Sequence, residues 1–181
     1  HWQDLTNFIL PNSADFNLRR SKGDKRSTLI YDSTGVHANE MLAAGLHGML
    51  TNPASNWFSL RLKNDNSEAS EQADVKDWLE DTAETILSEL SGPDVAFASH
   101  IHEYYLSLCS IGTACMFIGE PAQREGISFR SIHIDEIFVA ENADGLIDTV
   151  FRQFKMTVRQ IVQKWGEDSL SPRIKRMYEK K

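Results

Sequence analysis

The residues best suited to metal chemistry are His100, His102 and Glu103, three possible ligands within four positions. In a helix, residues 100 and 102 point about 200° apart. Ligand pairs on one helix are usually spaced three or four residues apart, so only His100 and Glu103 could share a face. We interpret the group as the polar flank of a helix. A small metal-dependent hydrolase that uses His100, Glu103 and nearby carboxylates is kept as the least favoured alternative.

Other polar groups could serve in acid–base or nucleophilic catalysis, but their surroundings do not fit. Asp135 and Glu136 are adjacent in an extended segment, so their side chains should point to opposite faces, and a turn between strands explains them better. Ser33, Ser99 and Ser110 lack the Gly-x-Ser-x-Gly elbow of a nucleophilic serine. The sequence also has no Gly-x-x-x-x-Gly-Lys loop for phosphate.

The two cysteines, Cys109 and Cys115, are too few for a disulfide framework or a zinc site. Cys109 lies on an apolar helix stripe and Cys115 in a predicted strand, so both are interpreted as buried structural thiols in a reducing compartment. No catalytic constellation is left. The sequence therefore predicts a protein that is not an enzyme and that uses no cofactor or metal.

Composition places the chain among soluble globular domains. It has 181 residues, of which 41% are hydrophobic and 25% charged, enough for one domain or two small ones. It contains no uncharged apolar run of about 18 residues and no signal-peptide pattern, so we expect neither a membrane span nor a secreted precursor. Because it begins with His1, we expect it to be a piece of a longer protein.

The net charge of −7 hides three blocks of different sign. Residues 19–26 contain five basic residues against one acidic, residues 64–94 ten acidic against one basic, and residues 152–181 nine basic against three acidic. Solvated faces are the simplest explanation, but separate blocks can also guide association. Whole-domain nucleic-acid binders are normally basic overall, which this chain is not.

These blocks supply the candidate contact residues. The basic candidates for contacts with another subunit or with DNA phosphates are Arg19, Arg20, Lys22, Lys25, Arg26, Arg152 and Arg159. The candidate acidic inter-subunit face consists of Glu71, Asp74, Asp77, Glu80, Asp81 and Glu84.

Residues 1–112 are predicted to be mainly helical. Apolar spacing predicts helices over 2–10, over about 34–52, through the stripe 75–90 and through the stripe 97–108. The last two should form an antiparallel hairpin, because neither stripe is stable in water without a partner.

Two smaller features of this helical part also suggest structure. Gly45 and Gly48 lie inside the second helix, which suggests close packing against another backbone. The alternation over 57–62 predicts a strand.

Residues 113–156 are predicted to be mainly β, with Asp144-Gly145 as a hairpin turn. Residues 157–181 are predicted to be helical, because Thr157 and Gln160 form a capping box and Pro172 suits a first helical position. We therefore predict an α+β fold, with amphipathic helices, a small antiparallel sheet and C-terminal helices in a single region, residues 1–181.

Several short segments then resemble, in shared order and spacing, the portal or head-to-tail connector proteins of short-tailed bacteriophages. They are YDSTG (31–35), LAAGL (42–46), LTNPA (50–54), WFSL (57–60), GISFRSI (126–132), AEN (140–142), GLIDTVFR (145–152) and TVRQ (157–160).

The resemblance implies a structural subunit of a dodecameric ring at one capsid vertex. In that family double-stranded DNA is packaged and ejected through a central channel, terminase drives packaging, and tail or adaptor proteins and capsid or scaffolding proteins attach. It also implies a virion protein assembled in the bacterial cytoplasm. Our chain would be the N-terminal, mostly wing-like fragment, with the stem, clip and crown beyond Lys181. The alternative from another class is an acidic helical module that binds a basic partner through residues 64–94.

Overall fold

A computed structural model describes residues 1–13, 15–16, 23–25, 28–63, 72–121 and 125–178. The helices are α1 (Trp2–Phe8), α2 (Thr34–Leu50), α3 (Ala73–Leu90), α4 (Phe97–Ile111), α5 (Val158–Trp165) and α6 (Pro172–Tyr178). The strands are β1 (Cys115–Gly119), β2 (Ser128–Ile132), β3 (Ile137–Glu141) and β4 (Ile147–Arg152). Short 3-10 turns occupy residues 134–136 and 167–169. The α+β prediction is confirmed.

The chain divides into two compact units, residues 1–135 and 136–181. The first contains α1 to α4 and the β1–β2 sheet, and the second contains the β3–β4 sheet, α5 and α6. The four β-rich segments are found where the sequence predicts them, but they form two separate two-stranded antiparallel sheets. That the 181 residues act as one region of a longer protein stays a prediction.

Helix α4 organises the first unit, because α1, α2, β1 and β2 all pack against it. Its partner α2 approaches closely at Ala43, which is fully buried. Beside it the buried Asn39 donates a hydrogen bond from Nδ2 to the carbonyl oxygen of Leu106, at 3.3 Å. Tyr105 and Ile111 fill the interior on the α4 side. A small side chain and a satisfied amide thus let two helices share a close-packed contact.

The predicted antiparallel hairpin of α3 and α4 is only partly formed. The two helices follow each other through a tight connection with Val95 buried, but the most extensive helix contact of α4 is with α2. Among the described residues of α3 only Ala83 is buried, and a groove lined by Trp57, Leu60, Leu79 and Ala83 lies along the helix. Apolar spacing marks which face of a helix needs cover, and it does not choose the neighbour.

The strand predicted over residues 57–62 is wrong. The segment pairs with no strand in the described part of the chain, and a strand requires a hydrogen-bonded neighbour. Instead, Trp57 stacks on Phe97 with ring centroids 6.0 Å apart and meets Phe58 edge to face. Phe97 in turn contacts Phe129 of β2 edge to face at 4.9 Å. Trp57 therefore packs against α4, and Phe97 connects that contact to β2.

In the second unit, β3 and β4 form a hairpin in which Phe138 lies opposite Phe151 and Val139 opposite Val150. Its turn is specified locally. Asn142 Oδ1 accepts hydrogen bonds from the N–H groups of Asp144 and Leu146, at 2.9 and 3.0 Å. Gly145 has a φ of 74°, the left-handed region that favours glycine. The predicted Asp144-Gly145 turn is confirmed.

The C-terminal helices also begin where predicted. Thr157 Oγ1 accepts a hydrogen bond from the N–H of Gln160, while Gln160 Oε1 accepts one from the N–H of Thr157, which completes the capping box of α5. Helix α6 begins at Pro172, and Leu170 before it is buried. Within the described residues, no helix is both long and apolar enough to cross a membrane.

Candidate interaction surfaces

The described carboxylates of the predicted acidic face lie on α3, and their contact with another subunit stays a prediction. Asp74, Asp77, Glu80, Asp81 and Glu84 are all exposed, while Glu71 lies outside the described residues. Helical spacing places Trp78 beside them, four residues after Asp74 and three before Asp81. The indole is 61% exposed. The outer side of α3 is thus an exposed aromatic bordered by carboxylates, which favours a basic partner with some apolar surface.

The seven predicted basic contact residues fall into three groups: one in an internal ion pair, two exposed, and four outside the described residues. Arg152 is occupied within its own unit, because its Nη2 and Nε lie 2.7 and 2.8 Å from Glu136 Oε2 and its guanidinium lies over Phe154. Lys25 and Arg159 are exposed. Arg19, Arg20, Lys22 and Arg26 lie outside the described residues. Of the basic candidates that the structure describes, Lys25 and Arg159 are therefore the ones free of such an internal ion pair.

The histidines of α4 point to two sides, as their spacing predicts. His100 Nδ1 lies 3.4 Å from Glu103 Oε2 and 3.4 Å from the backbone nitrogen of Ser131 in β2. His102 Nε2 instead faces Glu40 of α2, at 3.4 Å. No three His, Cys, Asp or Glu side chains in the described ranges come together as a metal site. The geometry therefore gives the metal-dependent hydrolase no support.

Sequence reasoning missed a histidine contact between α2 and α4. His47 lies beside His102 and Tyr105, with ring centroids 6.1 and 6.3 Å away. Its buried Nε2 has no hydrogen-bond partner among the described residues. Burial, helped by the nearby His102, lowers the pKa of His47 below its usual value. His47 is four residues after the buried Ala43 on the same side of α2, and the sequence alone does not show that this side is the buried one.

The partly covered position of the Cys109 thiol fits a structural role. Burial raises the pKa of Cys109, which disfavours the reactive thiolate. Cys115 is also partly covered, at the start of β1. Cys109 therefore has the character of a structural thiol rather than of an activated nucleophile.

The first unit also contains a cavity of about 380 Å³ near the α3–α4 connection. Trp57, Leu87, Leu90, Pro93 and Phe97 are among its lining residues. The lining residues include no carboxylate, lysine or arginine, and His47, Thr51 and Asn56 are among the polar ones. We assign it no chemistry.

Many large apolar side chains of the described residues are exposed to solvent. Among the described residues seven apolar side chains are buried, whereas twenty-two large ones are exposed. Soluble monomers rarely leave large continuous apolar patches in water. Ten of the exposed side chains lie on α2 or in the β3–β4 hairpin and its turn, which makes these the two main open apolar surfaces.

The expectation that Gly45 and Gly48 pack closely against another backbone is wrong within this chain. A Cβ atom at either position would meet no described atom within 4 Å. The close approach occurs at Gly35 instead, where a Cβ would lie 2.8 Å from Ile9 Cδ1. The glycine that brings two segments together is therefore in the first turn of α2, and the two interior glycines face open space.

Comparison with known proteins shows the family to which the chain belongs. All 181 residues match the family of bacteriophage head to tail connecting proteins. The chain belongs to that family.

Two relatives are similar to the chain over nearly its whole length. The chain is 34% identical over 180 residues to the portal protein of Salmonella phage epsilon15 and 30% identical over 181 residues to a probable portal protein of Bordetella phage BPP-1. Each alignment covers 99% of this chain and 32% of the relative. The chain thus spans about a third of the length of these relatives, and the resemblance seen in its sequence is confirmed.

The His47 contact predicts a pH dependence of stability. The pKa of His47 is lowered in the folded state, so the unfolded chain takes up a proton first as the pH falls. Stability should therefore decrease as the pH falls below the ordinary histidine pKa of about 6.5. Urea unfolding between about pH 7.5 and about pH 5.5 measures this, and His47→Gln should flatten the dependence.

His37→Gln is the matched control, since His37 is exposed on the same helix. It should leave the pH dependence as in the unmodified protein. An identical slope in the His47→Gln and unmodified proteins would contradict the assignment.

Proposed function

We propose that the protein is the structural subunit of a phage portal, a homo-oligomeric ring at the capsid vertex. The ring would be the conduit for packaging and ejecting double-stranded DNA and the docking site for terminase, tail or adaptor proteins and capsid or scaffolding proteins. A dodecamer is the form that the family resemblance implies. The protein would assemble in the host cytoplasm and remain in the virion. Family membership supports this proposal, and the assembly itself is its testable part.

The observation that carries the proposal is the exposed apolar surface of α2 and of the β3–β4 hairpin. Phe138 and Phe151 on one face of the hairpin, and Val139 and Val150 on the other, are all more than half exposed. An isolated two-stranded sheet is marginally stable in water. Both faces therefore favour cover by another protein surface, which a ring of identical subunits would supply.

Charge supports the same conclusion. The acidic face of α3 and the basic residues of the C-terminal segment have opposite sign within one chain. In a head-to-tail ring, each subunit presents one surface to each neighbour, so the two can meet around the whole circle. We propose that α3 of one subunit faces basic residues such as Arg159 of the next. Electrostatic complementarity of this kind sets register and association rate more than it sets affinity.

We also infer that the protein catalyses no bond chemistry and uses no cofactor. A portal acts by assembly and by the shape of its channel, and the family membership supports this reading. An acidic interaction module remains the second candidate, because Trp78 is exposed beside the carboxylates. That candidate differs in predicting a heterologous basic partner and a full-length protein that stays monomeric.

The first test is the mass and shape of the full-length protein. Negative-stain imaging and light scattering should show a closed ring with an open axis. Assembly follows from the heterologous contacts that the two surfaces provide. A full-length protein that stays monomeric at high concentration would overturn the proposal and favour the acidic module.

A second test reverses one charge of the acidic face. Asp81→Lys should weaken ring assembly by roughly tenfold or more, because like charges at an interface cost more than about 1.4 kcal/mol. The defect should become smaller at high salt, which screens the repulsion. Light scattering across a concentration series measures both effects.

Glu89→Lys is the matched control, since Glu89 is an exposed carboxylate in the last turn of the same helix. It changes the net charge equally and should assemble normally. If Asp81→Lys and Glu89→Lys behave alike, the acidic face is a solvated surface.

A further inference from the structure

From Ala38 to Met49, the side of α2 that faces away from α4 carries no carboxylate, lysine or arginine, and the exposed His37 borders it. We call this side the α2 outer face. It consists of six exposed residues at helical spacing, namely Ala38, Met41, Leu42, Gly45, Gly48 and Met49. The exposed fractions of Met41, Leu42 and Met49 are 63%, 55% and 84%.

The α2 outer face has the shape of a shallow hollow. Gly45 and Gly48 form its floor, since they have no side chains and face open space. Met41 and Met49 stand at its sides, three or four residues from a glycine. The opposite side of α2 is already buried at Asn39 and Ala43. A helix that is apolar on both sides is normally covered on both.

The occupant of this hollow must be uncharged. A phosphate, lysine or carboxylate placed there would lose its water without gaining a charged or hydrogen-bonding partner. That excludes DNA and the charged blocks of a neighbour. Flexible methionines and a glycine floor fit bulky apolar side chains that project from a flat element.

The chain offers such a surface on its β3–β4 hairpin. Phe138 and Phe151 are a directly opposed cross-strand pair, so their side chains emerge on the same face. Their neighbours on that face, Ala140 and Thr149, are small and uncharged. The other face ends at Arg152, which is held by Glu136. The aromatic face therefore matches the α2 outer face in charge and in shape.

We propose that the α2 outer face of one subunit packs against the Phe138–Phe151 face of the β3–β4 hairpin of a second copy. The inference rests on the proposed ring. In a closed ring each subunit gives its helix to one neighbour and its hairpin to the other, so no copy leaves either surface in water.

The test places a charge on the floor of the hollow in the full-length protein. Gly45→Glu introduces a side chain where the structure has open space, and glutamate is a better helix former than glycine. The subunit should therefore fold normally, with unchanged helix content by circular dichroism. Ring assembly should weaken by tenfold or more in light scattering. Gly45→Ala adds a methyl group and no charge at the same position, where a Cβ meets no described atom within 4 Å, so it is the matched control and should assemble far better than Gly45→Glu.

The partner surface is tested by cross-linking. Met49→Cys combined with Phe138→Cys should give a ladder of covalent multimers after mild oxidation, whereas either change alone, or the native Cys109 and Cys115, should not. A ladder supports the proposal. A cross-link confined to single chains, or no cross-link with normal assembly of Gly45→Glu, overturns it.

These outcomes separate the two proposals. If the unmodified full-length protein forms no ring, the proposed function fails. If the unmodified protein and Gly45→Glu both form rings, the ring stands and the α2 contact is wrong.

Discussion

The packing of α4 is the interaction on which the first unit depends. Helices α1 and α2 and both strands of the β1–β2 sheet contact it, and its Tyr105 and Ile111 are in the interior. Ala43 makes the contact with α2 close, and Asn39 makes it specific by pairing with a carbonyl group. This packing leaves the outer face of α2 and the exposed part of α3 without cover from α4.

That arrangement explains why a chain of ordinary composition leaves so many large apolar side chains open. The helices of the first unit share one central element, and the hairpin of the second unit has two apolar faces and a single layer. A protein that works alone would bury these surfaces within itself. In the proposed ring, neighbouring subunits would cover these surfaces, so the interior of each subunit and its assembly would use different apolar residues.

Much of the fold could be predicted because interactions between residues close in sequence specify it. The capping box at Thr157, the Asn142–Gly145 turn and Pro172 each act within four residues, so the sequence specifies them directly. The choice of α2 as the neighbour of α4 and the separation of the strands into two sheets depend on long-range packing, which periodicity does not encode. The same limit applies to the surfaces: the carboxylates of α3 could be predicted as a face, but the exposure of Trp78, which belongs to the apolar stripe, and the open hollow at Gly45 could not.

The most direct measurement of the central claim is a cryo-EM structure of the assembled full-length protein. Its decisive readout is the exposure of the side chains that are open here, above all Met49 and the Phe138–Phe151 pair. Our account predicts that these side chains are buried between neighbouring subunits. A closed ring in which they remain in water, or are covered entirely within their own subunit, would contradict it.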